Sequence, residues 1–268
     1  MAENDDQNII SSVEYKKVTE AMYKQNLELA RLYKEVDALN KQRESLVHLV
    51  THKVKSSFTH SKYIFASILD GTFGEINGEV KKMAQLGLDS DNTGIQTVDL
   101  VLNAANLQKG NIKYEMKKID FKALVLEKLA EKKGPIEAKG LKIETNITED
   151  VCNVLGDTIW LKESIHNFLE NSLRYTREGK IIVNLEKKEG KVLFSVKDTG
   201  VGITDEDKKN LFTEGGRGKE SVKVNVDSTG YGLYTVKLVI EAHKGRVWAE
   251  SEGPGTGSTF FVELDAIE

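Results

Sequence analysis

Apolar residues in the first fifty positions of the chain recur at a spacing of seven. One heptad position carries Met22, Leu29, Val36 and Val50, and the other carries Val18, Leu32, Leu39 and Leu46. Gln25 and Arg43 are the polar exceptions in this seam. A 3.5-residue repeat without Pro or Gly favours a parallel coiled-coil dimer over a monomeric surface helix, and the polar positions help to fix its register. Residues 1–12 are polar and predict a frayed tail before a helix that starts near Val13.

The helical pattern continues beyond the coiled coil to about Asp70, where Gly71 and Gly74 break it. A second helical segment follows from about Gly78 to Leu107. Two helices joined by a short glycine-containing loop make a helical hairpin, and two hairpins make a four-helix bundle. The sequence therefore predicts a homodimer held together by the coiled coil and the hairpin.

The C-terminal half alternates between strand and helix patterns. Residues 111–118 and 141–147 alternate like strands, and Asp120 is placed to cap a helix that reaches about Ala138. Two half-buried strands then meet at a turn formed by Glu189 and Gly190, and residues 247–251 and 260–264 close the sheet. The prediction is an α+β chain whose C-terminal part is an α/β sandwich, with three helices over a mixed, largely antiparallel sheet. The predicted domains are a tail (1–12), a coiled-coil helix (13–44), a dimerisation hairpin (45–109) and the sandwich (110–268).

Composition narrows the class of protein. At 268 residues, 39% hydrophobic and 30% charged, the chain can bury a sizeable core in two or more domains. A net charge of −4 gives no reason to expect nucleic acid as a partner. The chain has no apolar run of about 18 residues, so no membrane span is predicted. A cytoplasmic chain is expected, with a membrane-bound parent left open. Cys152 is the single cysteine, which excludes an internal disulfide.

Candidate chemistry begins with Asn167 and Asn171 in the segment HNFLENSLRYT. An i, i+4 pair projects from one face of a helix, where amide oxygens can ligate a hard cation such as Mg²⁺. The glycine-rich segments DTGVGI, STGYGL and GTGSTF follow, and they leave backbone without side chains where phosphates come close. No GxxxxGK[ST] segment occurs, so this is not a P-loop. Taken singly, each segment also fits an ordinary turn, a strand-end cap or a linker.

Together and in this order, the four segments resemble the N, G1, G2 and G3 boxes of the histidine kinases of two-component signalling. The resemblance covers roughly residues 160–264 and implies ATP and Mg²⁺ as ligands. It implies that Asn171 holds the metal and that Asp198 accepts a hydrogen bond from the adenine amino group. The other positions that it assigns to the nucleotide are Asn167, Arg174, Tyr175, Gly200, Gly202, Ile203, Phe212, Thr229, Gly230, Tyr231, Gly232, Leu233 and Thr259.

Within that assignment, Arg174 and Tyr175 match the positions that flank the triphosphate and the sugar, and Thr259 matches a hydroxyl at the rear of the pocket. Phe212 matches the lone aromatic residue of the F box. Residues 213–229 are polar, rich in glycine and without periodicity, which fits a mobile lid. Arg217, Lys219 and Lys223 are the candidates in this lid to contact the γ-phosphate, and a plain surface loop is the alternative.

His52 is the candidate phosphoryl acceptor. It lies two residues, about 200°, from both Val50 and Val54, so the helix should turn its imidazole away from the bundle core. His48 and His60 also fall outside the apolar stripe, and the choice among the three rests on THKVKSSF, which resembles the family's H box. Lys53 stands where the family has the acidic residue thought to take the imidazole proton.

Two further substitutions separate this H box from the family pattern. Ser56 replaces the Thr or Asn that positions water for dephosphorylation of the partner, and Ser57 replaces a Pro. These departures leave a second interpretation, in which the chain is an ATP-binding pseudokinase scaffold or a phosphatase-biased transmitter.

The same ATP fold serves ATP hydrolases, which carry a Glu one helical turn before the metal-binding Asn to activate water. Asn167 occupies that position here, and Glu170 lies about 100° away around the helix. Transfer from ATP to His52, and onward to an Asp of a response-regulator receiver domain, is therefore preferred over hydrolysis. Asn167 and His52 are the residues assigned to this chemistry.

Overall fold

The structure is a computed structural model that describes residues 2–108, 112–216 and 229–268, with side chains from residue 16 onward except those of 44 and 48. The chain divides into two compact units, Met1–Asn92 and Thr93–Glu268. This division falls inside a helix and lies earlier in the chain than the predicted boundary at residues 109–110. That helix carries the buried apolar residues Val98, Ala104 and Leu107 into the second unit.

The first unit is a helical hairpin. Helix α1 (Ala2–Leu69) is continuous over 68 residues, and helix α2 (Gly78–Gln108) returns after a short loop. The frayed tail predicted for residues 1–12 differs from the structure, in which α1 begins at Ala2. Neither Gly nor Pro occurs between Ala2 and Leu69, so nothing in this part of the sequence ends the helix.

Side chains of the predicted coiled-coil seam are exposed along α1 in the single chain. Leu32 and Leu39 are 51% and 59% exposed, and Val36 and Leu46 are similarly open. Isolated apolar side chains on a surface are ordinary, but a stripe that keeps the heptad spacing is the pattern of a helix that packs against a second copy.

The hairpin is closed by a polar and an aromatic contact. The Ser61 hydroxyl on α1 donates a hydrogen bond to the buried Asp91 carboxylate on α2. One turn further along α1, the Phe65 ring lies so close to Gly87 that a Cβ there would be 2.4 Å from it. Both contacts join residues far apart in sequence, which confirms the predicted helix–loop–helix arrangement.

The second unit consists of strands and helices in the order β1 (Lys117–Asp120), α3 (Phe121–Ala138), β2 (Lys142–Ile147), β3 (Asn153–Gly156), α4 (Thr158–Tyr175), β4 (Lys180–Lys188), β5 (Lys191–Asp198), α5 (Asp205–Asn210), α6 (Gly232–Ala242), β6 (Arg246–Glu250) and β7 (Ser258–Asp265). Asp120 caps α3 as predicted, by accepting a hydrogen bond from the Ala123 N–H. The predicted strand at residues 111–118 is shorter and later than expected, because β1 begins only at Lys117.

Among the described residues, five strands form the main sheet in the order β2-β4-β5-β7-β6, and β1 pairs with β3 in a separate antiparallel ribbon. Only β2 and β4 run parallel in the main sheet, so the predicted mixed, largely antiparallel sheet is confirmed. The inner face of β4 contributes Ile181, Val183 and Leu185 to the core, and α3, α4 and α6 cover it. Alternation along β4 and β7 therefore separates a buried apolar face from a half-exposed one.

Candidate functional site

Helix α4 supplies one wall of a cleft in the second unit. Its start is fixed by Asp157, whose Oδ1 accepts hydrogen bonds from the N–H groups of Ile159 (2.9 Å) and Trp160 (3.2 Å). The Asp157 N–H in turn donates to Nε2 of the buried His243 at the end of α6, at 2.9 Å. These contacts hold α4 in place while its buried face packs on the sheet, and they leave Asn167 and Asn171 on the cleft side.

Asn167 connects the cleft wall to the helix opposite. Its Nδ2 donates to the Glu163 carbonyl at 2.9 Å, as an i, i+4 contact. Its Oδ1 lies 2.8 Å from where a Cβ at Gly232 would stand, at the first residue of α6. A glycine at this position lets the N-terminus of α6 approach the amide of Asn167 closely.

Asp198 closes the cleft at the end of β5 and is only 2% exposed. Its Oδ1 accepts the Gly200 N–H at 2.9 Å, and its Oδ2 accepts the hydroxyls of Ser258 at 2.9 Å and Ser172 at 3.4 Å. Burial raises the pKa of the Asp198 carboxyl above its ordinary value, and these hydrogen bonds oppose the shift. The result is a buried acceptor held in one orientation.

Two glycine-rich loops pack against each other beside Asp198. Gly202 has φ +71°, and a Cβ there would stand 2.0 Å from the Gly253 carbonyl oxygen. The Gly255 N–H donates to the Val201 carbonyl at 2.7 Å, and the Gly257 N–H donates to the Gly200 carbonyl at 3.1 Å. The DTGVGI and GTGSTF segments are thus joined through their backbones, as close approach without side chains permits.

The cleft encloses about 1020 Å³, including open space at its mouth. Eleven of the predicted nucleotide residues line it, namely Asn167, Asn171, Arg174, Tyr175, Asp198, Gly202, Ile203, Thr229, Gly230, Gly232 and Leu233. The four segments that are distant in the sequence therefore meet at one place.

Four of the predicted residues do not line the cleft, namely Gly200, Phe212, Tyr231 and Thr259. Thr259 does not line the cleft, whereas its two neighbours in β7 do. Successive side chains of β7 point to opposite faces of the sheet, so Ser258 and Phe260 face the cleft and Thr259 faces away. Phe212 packs against the hydrophobic core, and its neighbour Leu211 lines the cleft instead.

Several residues in the cleft wall or directly behind it were not predicted from the sequence. The hydroxyls of Ser172 and Ser258 donate hydrogen bonds to the Asp198 carboxylate. Their position next to Asn171 and within the GTGSTF segment is the sequence signal that could have identified them. Glu170 lines the cleft although the helix angle had placed it away from the water-activating position. It forms ion pairs with Lys132 at 2.6 Å and Arg174 at 3.5 Å, which makes it a poor proton acceptor.

The predicted lid is described only at its ends. Residues 217–228, and with them Arg217, Lys219 and Lys223, lie outside the described residues. At the base of this segment Gly230 approaches Gly215, whose carbonyl oxygen is 2.8 Å from the position of a Cβ at Gly230. The described ends of the segment therefore come together at the cleft.

The histidine assigned as phosphoryl acceptor belongs to the first unit. His52 is exposed on α1, as the helix angle predicted, and His60 is exposed as well. Thr51 beside it is buried and donates its hydroxyl to the Val47 carbonyl, at 2.5 Å. The side chain of His48 lies outside the described residues. Within the described part of α1 and α2, neither helix is long and apolar enough to cross a membrane.

Comparison with known proteins places this cleft in a family. Residues 156–268 match the family described as "Histidine kinase-, DNA gyrase B-, and HSP90-like ATPase". The chain is similar to the "Sensor-like histidine kinase SenX3" of Mycobacterium tuberculosis, with 25% identity over 228 residues that cover 84% of this chain and 54% of that protein. It is also similar to "Drug sensory protein A" of Synechocystis sp., with 28% identity over 239 residues that cover 84% of this chain and 35% of that protein.

Solved structures agree on the fold. The chain is similar to ShkA, whose full-length crystal structure is in complex with AMPPNP, with a TM-score of 0.68, 21% identity, and coverage of 84% of this chain and 46% of that one. It is also similar to the Acinetobacter baumannii histidine kinase AdeS, with a TM-score of 0.56, 20% identity, and coverage of 81% and 98%. The chain spans about half the length of SenX3. Residues 156–268 thus form an ATPase domain of the histidine kinase, gyrase B and HSP90-like family, and over 84% of its length the chain is similar to a sensor-like histidine kinase.

Proposed function

We propose that this chain is an ATP-dependent protein-histidine kinase that phosphorylates itself on His52 and passes the phosphoryl group to a receiver-domain Asp of a response regulator. The observation that carries the proposal is Asp198, a carboxylate 2% exposed at the base of the cleft and oriented by three hydrogen bonds. A buried acceptor of this kind suits the exocyclic amino group of adenine. The protein is proposed to act as a cytoplasmic homodimer.

The α4 wall fits the phosphate end of the nucleotide. Asn171 is half-buried in the cleft, and its amide has no hydrogen-bond partner among the described residues. When bound, Mg²⁺ would be held by the Asn171 amide oxygen and would spread the charge on the phosphates. Arg174, exposed at the rim of the cleft, would contact the triphosphate, and Tyr175 the sugar.

The phosphoryl step needs an accessible imidazole, and His52 is exposed. A ring nitrogen of His52 would attack the γ-phosphorus in line, the bond from phosphorus to the ADP oxygen would break, and the imidazole proton would leave. Lys53 is exposed beside it and cannot accept that proton as a carboxylate would. We therefore expect slow transfer with water as the proton acceptor.

Labelling with [γ-³²P]ATP tests the proposal. We expect acid-labile, base-stable label on the wild-type protein, no label on the His52→Gln variant, and retained label on His48→Gln and His60→Gln. Label that survives His52→Gln would contradict the assignment of the acceptor.

The second candidate function is an ATP-binding scaffold, or a transmitter biased toward phosphatase activity, and Lys53 with Ser56 favours it. Lys53→Glu restores a carboxylate next to His52 and discriminates the two. If the wild-type protein is a kinase that lacks only its general base, the Lys53→Glu variant should be labelled faster than wild type by a factor of about 10² to 10⁴. If neither protein is labelled while ATP still binds, the scaffold is the better description.

A further inference from the structure

The last turn of α4 is an unfavourable place for phosphate on electrostatic grounds. Its last carbonyl groups carry the negative end of the helix dipole. Glu170 adds a full negative charge on the same turn as Asn171 and Arg174, and all three line the cleft. A triphosphate bound here therefore requires compensation from another part of the fold.

Helix α3 and the residue that caps its C-terminus supply that compensation through two lysines. Lys139 Nζ donates to the Leu173 carbonyl at 2.6 Å and to the Arg174 carbonyl at 3.3 Å. Lys132 Nζ pairs with Glu170 Oε2 at 2.6 Å, and its side chain is only 16% exposed. Glu170 Oε1 lies 3.5 Å from the Arg174 guanidinium. Glu170 is thus held between a lysine that is nearly buried and an arginine that faces the cleft.

This arrangement decides how much positive charge Arg174 presents. Without Lys132, Glu170 would pair with Arg174 alone, and the two side chains would carry no net charge. With Lys132, the three side chains carry a net charge of +1. We infer that Lys132 of α3 is a positioning residue for the nucleotide phosphates, because it neutralises Glu170 and leaves the positive charge of the Arg174 guanidinium uncompensated for them.

The ionisation states agree with this account. Burial alone would raise the pKa of Glu170, but the hydrogen bond and charge of Lys132, together with Arg174 and His166, hold it below its ordinary value. The pKa of His166 is lowered by burial and by the charge of Lys132, while Glu163 and Glu170 oppose this shift. The inference rests on the proposed nucleotide site and extends it to α3.

Affinities for adenosine, ADP and a non-hydrolysable ATP analogue, each with Mg²⁺, test this inference on the full chain. We expect Lys132→Met to weaken the ATP analogue about tenfold, ADP less, and adenosine not at all, since a charge effect grows with the number of phosphates. Lys132→Arg should restore the affinity. Lys132→Met combined with Glu170→Gln should recover most of it, because the unpaired carboxylate is gone.

Lys162→Met is the matched control, because Lys162 pairs with Glu127 across the same two helices, also at 2.6 Å, but outside the cleft. It should leave all three affinities unchanged. Equal losses for adenosine and the ATP analogue, or no recovery with Glu170→Gln, would overturn the role of Lys132. Failure of the wild-type protein to bind any of the ligands would instead overturn the proposed function.

Discussion

Asp198 is a carboxylate that the fold removes from water and then holds with one N–H and two hydroxyl groups. Burial of a carboxylate destabilises the folded state unless the group is hydrogen-bonded, and Asp198 is both buried and hydrogen-bonded at the base of the cleft. The pKa of Asp198 is still raised, because the effect of burial exceeds that of the hydrogen bonds. A buried carboxylate at the base of a cleft is a strong candidate for ligand recognition, because its burial does not favour folding.

Replacing Asp198 by Asn should weaken binding of ATP analogues about tenfold to a hundredfold. The adenine amino group would lose a charged acceptor, a loss worth on the order of 1.5 to 3 kcal/mol. Isothermal calorimetry with Mg²⁺ and the analogue measures this change. An unchanged dissociation constant in a folded Asp198→Asn protein would refute the assignment of Asp198.

At this scale, the sequence predicted residues whose chemistry is tied to a motif, such as Asn167, Asn171 and Asp198. Where one step along a strand decides which side chain faces the cleft, the structure differs from the prediction, because Ser258 and not Thr259 lines it. It could not predict the pairing of Glu170 with Lys132, since these residues lie 38 positions apart and meet only when α3 packs against α4.

At the scale of the elements, the contact between the two glycine-rich loops beside Asp198 can be tested by comparing two glycines with positive φ. Gly202 lies in one of these loops, and Gly190 lies in the turn between β4 and β5. Gly202 and Gly190 both have positive φ, at +71° and +75°. A Cβ at Gly202 would meet the Gly253 carbonyl oxygen, whereas a Cβ at Gly190 would meet nothing within 4 Å. A substitution at Gly190 therefore tests backbone strain alone, whereas a substitution at Gly202 tests strain together with the contact between the two loops.

Gly202→Ala should destabilise the protein by about 1 to 3 kcal/mol more than Gly190→Ala and should also weaken nucleotide binding. Gly190→Ala carries only the strain of its conformation in an open hairpin turn. Thermal unfolding of both variants, followed by titration with an ATP analogue, measures the difference. Equal destabilisation by the two substitutions would mean that the loop–loop contact does not matter.

Elements with strong local signals were predicted well. Helix α3 starts after the predicted Asp120 cap, and the turn at Glu189 and Gly190 joins β4 to β5. The ribbon of β1 and β3 was missed in part, because each strand has only four residues and β3 was not recognised. Short strands carry too little alternation to stand out, and their pairing depends on contacts that are distant in sequence.

For the molecule as a whole, the stripe of exposed apolar residues on α1 predicts a dimer. Replacing Leu32 and Leu39 together by Lys should shift the protein toward monomer, because each helix would place two unpaired charges in an apolar seam. Sedimentation at micromolar concentration measures the shift. Leu27→Lys is the control, since Leu27 is equally exposed but lies outside the seam. A wild-type monomer would contradict the coiled-coil account.

The central claim, that ATP phosphorylates His52, is tested most directly by locating the phosphoryl group in the wild-type protein. After incubation with Mg²⁺ and ATP, tryptic digestion at alkaline pH yields one peptide, residues 44–53, with His48 and His52, and another, residues 56–62, with His60. Fragmentation by mass spectrometry then assigns the site. The account predicts phosphohistidine at His52 alone, at no more than one group per chain. Phosphate on His48, on His60 or on a histidine of the second unit, or none after prolonged incubation with bound ATP, would contradict it.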